Sequence, residues 1–200
     1  MRRPSRRQQR LLALLPLVVG LAVLATALAQ PIKAHVGQSL LASTLDARMA
    51  APPEARADPE QWRPWPWAEL APVAELHFPA LGEERVVVDS ASGEALAWGV
   101  GHMTSTAALG APGISVVAGH RDGAFEVLGD VHPGDTVELT TIDGEVHRYV
   151  VDERIVVDSG QSQLSIDHTG LDELVLTTCW PIDALLSGPE RLVIRALPAT

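Results

Sequence analysis

Two hydrophobic textures divide the chain. Between Leu11 and Ala29 apolar residues dominate a 19-residue run, whereas beyond about Val73 they come in short runs separated by turn signals. At about 1.5 Å per helical residue the first run reaches roughly 28 Å, enough to span a bilayer. Arg2, Arg3, Arg6, Arg7 and Arg10 lie ahead of it, and that basic flank holds the N-terminal end in the cytoplasm. The competing reading is a cleaved signal peptide, because Ala27-Leu28-Ala29 before Gln30 has the small residues of a cleavage site. The run is longer than the usual ~7–15-residue signal core, so residues 1–30 read as a basic tail and transmembrane signal-anchor. Either way, the remainder is exported.

From Ile32 to Ala50 the residues Leu41, Leu45 and Met49 recur at helical spacing with no internal proline, which predicts a short helix. Then Pro52, Pro53, Pro59, Pro64 and Pro66 break regular structure, with Trp62, Trp65 and Trp67 interleaved. Residues 31–69 therefore read as a helix and a Pro/Trp-rich linker wrapping a barrel with its indoles buried. A carbohydrate-binding or membrane-interface tryptophan patch is the alternative. The strand pattern occupies 70–200: Val73 to Phe78, Glu84 to Asp89, Ile114 to Gly119, Thr136 to Thr141, Glu145 to Asp152, Arg154 to Val157, Leu174 to Cys179 and Arg191 to Leu197. Asp143-Gly144 marks a hairpin between two of them. These runs predict an all-β domain of eight short strands, a barrel or sandwich. Gly101 to Pro112 and Gly160 to Gly170 are left as longer connections.

Composition changes this picture little. With 46% hydrophobic and 20% charged residues the chain is that of a folded protein. Charge matters more: five of the 15 basic residues precede Gln30 while all 25 acidic ones follow it. Nucleic acid and anionic lipid are poor partners for so acidic an exported portion.

Candidate chemistry begins with the one cysteine, Cys179, which has no intramolecular disulfide partner in a compartment that permits disulfides. It closes the run Leu174-Val175-Leu176-Thr177-Thr178-Cys179, and Trp180-Pro181 follows; proline cannot continue a ladder, so the thiol stands at a strand terminus. A thiol becomes a competent nucleophile when paired with a base. Among seven histidines, His35 adjoins the anchor, His132 precedes a proline and His147 lies mid-hairpin, whereas His77, His102 and His168 stay open. His120 follows the apolar run Ile114 to Ala118 and a glycine, and so stands at a strand end as Cys179 does. Acyl transfer also needs donors where the oxyanion forms, and Arg191 opens the first strand after the cysteine. Arg191 and Arg195 share a strand face by alternation, but about 13 Å between their Cα atoms lets only one reach a given oxyanion. Pairing of the strand that ends at Cys179 with the one that begins at Arg191 would favour Arg191. No metal motif is present, since there is no i, i+4 histidine pair and no second cysteine, and no phosphate-binding glycine motif is complete. Neither metal nor cofactor is expected.

These residues resemble the sortases. Leu176-Thr177-Thr178-Cys179, an arginine twelve positions later and an upstream Gly119-His120 are similar to that family's T-L-x-T-C signature with its distant histidine and arginine. Pro64-Trp65-Pro66-Trp67-Ala68 and Gly119-His120-Arg121-Asp122 with Phe125 are similar to the proteobacterial group within it. Val175 replaces the first threonine of the signature, and Gly123-Ala124 stands where many of that group have threonine and histidine.

The resemblance implies an eight-stranded β-barrel with short helices behind an N-terminal transmembrane helix, single-pass in the inner membrane, with its catalytic domain in the periplasm. It implies a cysteine transpeptidase that cleaves an L-P-x-T-G-like motif near the C-terminus of another exported protein. Cys179 would form a thioester, His120 would serve as acid and base, and Arg191, with the backbone N–H of Thr178, would stabilise the oxyanion. An unidentified amine would resolve the acyl-enzyme. The rival readings are another envelope thiol acyltransferase, such as an L,D-transpeptidase or a protease, and a non-catalytic anchored β-domain that binds a partner protein.

Overall fold

A computed structural model describes residue 20 and residues 36–160, 172–184, 186 and 188–199. The chain divides into two units, Met1–Val36 and Gly37–Thr200. Apart from Gly20, the apolar run lies outside the described residues, as does most of the Gly160 to Gly170 connection. Among the described residues no helix is long and apolar enough to cross a membrane.

Among the described residues the second unit holds eight strands: β1 Pro72–Phe78, β2 Glu83–Val88, β3 Val100–His102, β4 Ile114–Ala118, β5 Thr136–Thr141, β6 Val146–Asp158, β7 Glu173–Cys179 and β8 Glu190–Pro198. They close into a barrel in the order β1-β2-β3-β4-β7-β8-β6-β5. Pairs β2–β3 and β4–β7 are parallel and the others antiparallel. The all-β expectation holds, with two exchanges among the strands. The predicted pair Glu145–Asp152 and Arg154–Val157 is one long strand, β6, whose register slips between Val151 and Glu153. An irregularity of this kind inserts polar residues into a continuous ladder and mimics a strand break in the sequence. The eighth strand is instead β3, three residues long with a glycine at its centre, too short to show alternation.

Alternation explains which side chains fill the barrel. Ala74, Leu76, Val87, Val117, Leu139, Leu174, Leu176, Leu192 and Ile194 point inward and join Phe125 and Leu128 in the main core. Around the outside of β2, Val86 and Val88 meet Leu41, Leu45, Ala68, Leu70 and Ala95. Both faces of β2 are thus covered, which is why its valines run consecutively instead of alternating. Leu41 and Leu45 come from α1 (residues 36–50), where their four-residue spacing puts them on one stripe. Next along that helix, Arg48 is buried and donates to the carbonyls of Arg56 and Pro72. Trp65 packs against Trp98 with ring centroids 4.5 Å apart, and Trp62 donates its indole N–H to the Ala55 carbonyl. Trp67 departs from the expected burial: it is 75% exposed.

A third apolar cluster lies on the outer face. It joins Ile114 and Val116 of β4, Val175 of β7, Val193 of β8, and Ile155 and Val157 of β6. This cluster fixes the phase of the strands that lead to the candidate chemistry.

Candidate active site

In β4 the even positions 114 and 116 face outward while Val117 faces the core; in β7 and β8 the odd positions 175 and 193 face outward while Leu174, Leu176, Leu192 and Ile194 face the core. Continued by the two-residue period, the outward set reaches Ala118 and His120 on the first strand, Thr177 and Cys179 on the second, and Arg191 at the start of the third. Register supplies the other coordinate. Ala118, the last paired residue of β4, is level with Thr177; His120 lies two residues beyond the first and Cys179 two beyond the second, and Cys179 pairs directly with Arg191. His120, Cys179 and Arg191 therefore form one row across three neighbouring strand ends.

The Trp180 amide donates to the Glu190 carbonyl at 3.0 Å. Antiparallel ladders alternate, so the adjacent pair Cys179–Arg191 is a non-hydrogen-bonded one, with Cα atoms about 4.5 Å apart and side chains close. Cys179 is a free, half-buried thiol and His120 is exposed. Arg191 donates from Nη1 to the carbonyls of Gly188 at 2.9 Å and Glu190 at 2.8 Å.

Thr178 faces the other way, buried beneath the row. Its hydroxyl donates to the Gly119 carbonyl at 2.7 Å, and the Gly119 amide donates to the Thr177 carbonyl at 3.1 Å. These bonds clamp the end of β4 to the end of β7 directly below His120. Glycine is required at 119 because a Cβ there would stand 2.7 Å from the ring of Phe125, which is fully buried in the core. Beyond His120 the chain turns at once: its carbonyl accepts from the amides of Gly123 and Phe125.

The other described histidines lie apart from the row. His77 Nδ1 is 3.2 Å from Glu138, His102 Nε2 is 2.9 Å from the Ala107 carbonyl, and His132 Nδ1 is 2.8 Å from the Asp130 carbonyl. His147 packs against Gly110, while His35 and His168 lie outside the described residues. Arg195 is held in an ion cluster one strand-length away. It makes a two-pronged contact with Glu173, at 2.5 and 3.0 Å, and reaches Glu153 at 3.2 Å. These carboxylates raise the Arg195 pKa, the hydrogen bonds that Arg195 donates to Glu173 contributing most. Sequence reasoning missed this cluster, because nothing in the strand pattern marks Glu173 as buried. It also missed Arg121, which is buried beside His120 and donates to three carbonyls of the connection between β7 and β8. Among the described residues no three His, Cys, Asp or Glu side chains converge as a metal site.

Residues 76–199 match the family model for the sortase domain. Sortase D of Bacillus subtilis is 31% identical over 119 residues, a match spanning 60% of this chain and 60% of that relative's length. Similar folds include sortase A from Corynebacterium diphtheriae, with TM-score 0.60, 21% identity and coverage of 90% of this chain and 96% of that one. Sortase C of Streptococcus pneumoniae gives TM-score 0.55 and 26% identity, over 63% of this chain and 65% of that one.

Proposed function

Because this chain belongs to the sortase family, we propose that it is a membrane-anchored cysteine transpeptidase of the proteobacterial group, with its barrel in the periplasm. It acts on an exported protein that carries an L-P-x-T-G-like C-terminal motif. The observation that carries the reading is the row His120–Cys179–Arg191 on one face of three adjacent strand ends.

The chemistry follows from that row. Cys179 Sγ, its proton passed to His120, attacks the threonine carbonyl carbon, and the carbonyl oxygen takes up negative charge. Arg191 lies on the neighbouring strand, where its guanidinium donates to that oxygen by exchanging its carbonyl partners Gly188 and Glu190. The Thr178 hydroxyl is committed to Gly119 and its backbone N–H is directed at Leu192 across the β7–β8 ladder, so Arg191 is the donor that the row itself supplies. As the tetrahedral intermediate collapses the C–N bond breaks, His120 gives its proton to the leaving amine, and a thioester remains. An incoming amine then attacks while His120 accepts its proton, and the thiolate departs. Water in place of the amine makes the same enzyme a protease.

The test uses full-length protein recovered from the membrane fraction and incubated with a library of motif peptides. Mass spectrometry is expected to show an acyl adduct on the native protein and none on Cys179→Ala, with equal thermal stability. An adduct persisting on the variant would remove Cys179 as nucleophile, and recovery of a soluble species starting near Gln30 would remove the anchor. A native thiol inert both to the peptides and to a small alkylating reagent would favour the non-catalytic binding domain.

A further inference from the structure

Arg121 follows His120 and is 7% exposed, yet no carboxylate forms a salt bridge with it among the described residues. Its guanidinium instead donates to three backbone carbonyls, from Nη1 to Pro181 at 3.0 Å and from Nη2 to Ala184 at 2.8 Å and Leu186 at 2.9 Å. Burying a cation without a counter-ion is costly, and a planar fork with five donors is the group that meets several carbonyls at once. All three acceptors belong to the connection between β7 and β8, the segment that separates Cys179 from Arg191. The far end of that segment is held by Arg191 itself, through Gly188 and Glu190. Its near end sits on the core, where Trp180 and Ile182 pack against the barrel cluster.

His120 thus lies between two ties. Behind it, Gly119 is fixed to Thr177 and Thr178 in β7. Ahead of it, Arg121 reaches across to the loop that leaves Cys179. We propose that Arg121 is a positioning residue: by fastening the loop after Cys179 to the turn carrying His120, it fixes the imidazole against the thiol, and its loss uncouples the two. This rests on the reading above that His120 and Cys179 act as a pair. It assigns to Arg121 no contact with substrate.

The probe is iodoacetamide, applied to the full chain in detergent micelles near neutral pH; a single added carbamidomethyl group reports Cys179, since the chain has one cysteine. Replacement of the partner, His120→Ala, is expected to change the alkylation rate by roughly tenfold, and Arg121→Met to move it at least ~3-fold in the same direction. Arg121→Lys, which keeps the charge but not the fork, moves it less. In the His120→Ala background Arg121→Met adds almost nothing, because the pairing it supports is already gone. Should Arg121→Met fail to fold, the cycle is run with Arg121→Lys. Hydrogen exchange over residues 180–189 is expected to quicken in the Arg121 variants while β1 and β5 stay protected. An unchanged rate in both Arg121 variants overturns the proposal, as does an Arg121 effect of equal size with and without His120, which would mark a purely structural loop anchor. If His120→Ala itself leaves the rate unaltered, the thiol–imidazole pairing of the functional reading fails, and this proposal fails with it.

Discussion

Arg191 and Arg195 lie on one strand and one face, so exchanging either for alanine separates two roles. Arg195 is fastened to Glu173, whose side chain is 3% exposed, while its own side chain is 42% exposed. Removing one partner of a fully buried ion pair costs about 3–5 kcal/mol, because the other charge is stranded. Water reaches the Arg195 side and screens the pair, which reduces this to roughly 2 kcal/mol. For a body of this size that is a fall in Tm of about 4–8 °C. Turnover per folded molecule is expected to change less than about 3-fold, since the guanidinium stands roughly 13 Å along the strand from Arg191. Adding Glu173→Gln to Arg195→Ala recovers part of the lost stability by removing the stranded charge. Arg191→Ala reverses the pattern. Its partners are the carbonyls of Gly188 in the loop and Glu190 at the strand's first residue, so Tm shifts by little, whereas loss of an oxyanion donor costs about 10²-fold in acylation. Arg191→Lys recovers only part of that loss. The assay is single-turnover acylation by a motif peptide well below either Tm, beside thermal unfolding of the same samples. A larger loss of acylation at Arg195, with both variants folded, would refute the assignment of roles.

Two other substitutions test how the site is supported and how the barrel responds to pH. Gly119→Ala places a methyl group 2.7 Å from the Phe125 ring, an overpacking expected to cost about 1–3 kcal/mol and to displace the His120 turn; Phe125→Leu in the same chain should restore part of the acylation rate, and no restoration would show that the clash lies elsewhere. The Glu75 carboxyl is raised above its ordinary range, first by burial and then by the nearby charges of Glu84 and Asp46. A raised carboxyl binds its proton more readily in the folded state, so its contribution to stability falls as pH rises through that range. Glu75→Gln should therefore raise Tm by about 1–2 °C at neutral pH, a screened, roughly 0.5 kcal/mol effect, with the gain vanishing below the ordinary carboxylate range. A gain that persisted unchanged in acid would exclude the charge as its cause.

The barrel was legible where alternation was uninterrupted. β1, β4, β5, β7 and β8 came within a residue of their observed ends, and Asp143-Gly144 sits in the β5–β6 hairpin with Gly144 at a φ of 80°. β3 was not legible because its glycine is there for contact: a Cβ on Gly101 would stand 2.2 Å from the Ser90 carbonyl oxygen. That constraint comes from the chain arriving after β2, and no local pattern encodes it. The tryptophan segment was legible only in part. Trp62 and Trp65 have partners, but the partner of Trp65 is Trp98, more than thirty positions away, and nothing in the local sequence separates them from exposed Trp67.

At the site, residue types were readable and their grouping was not, for a topological reason. His120 follows the end of β4 and Cys179 ends β7, while Arg191 lies at the start of β8. These positions coincide only because β4 and β7 run parallel, which brings two C-terminal ends together, and β8 runs antiparallel to β7, which brings its N-terminal end to the same edge. The separation of 59 positions from His120 to Cys179 is set by a crossover containing β5 and β6, and the separation of twelve from Cys179 to Arg191 by the connection between β7 and β8. Neither spacing carries chemical information. What aligns the three side chains is phase. A slip of one residue in any of the three strands would turn its member into the barrel. The outer cluster of Ile114, Val116, Val175 and Val193 opposes that slip, since each of those residues would lose its covered position at the same time. The apolar residues below the row thus hold the register on which the row depends, and the buried hydroxyl of Thr178 closes it at the end nearest the thiol.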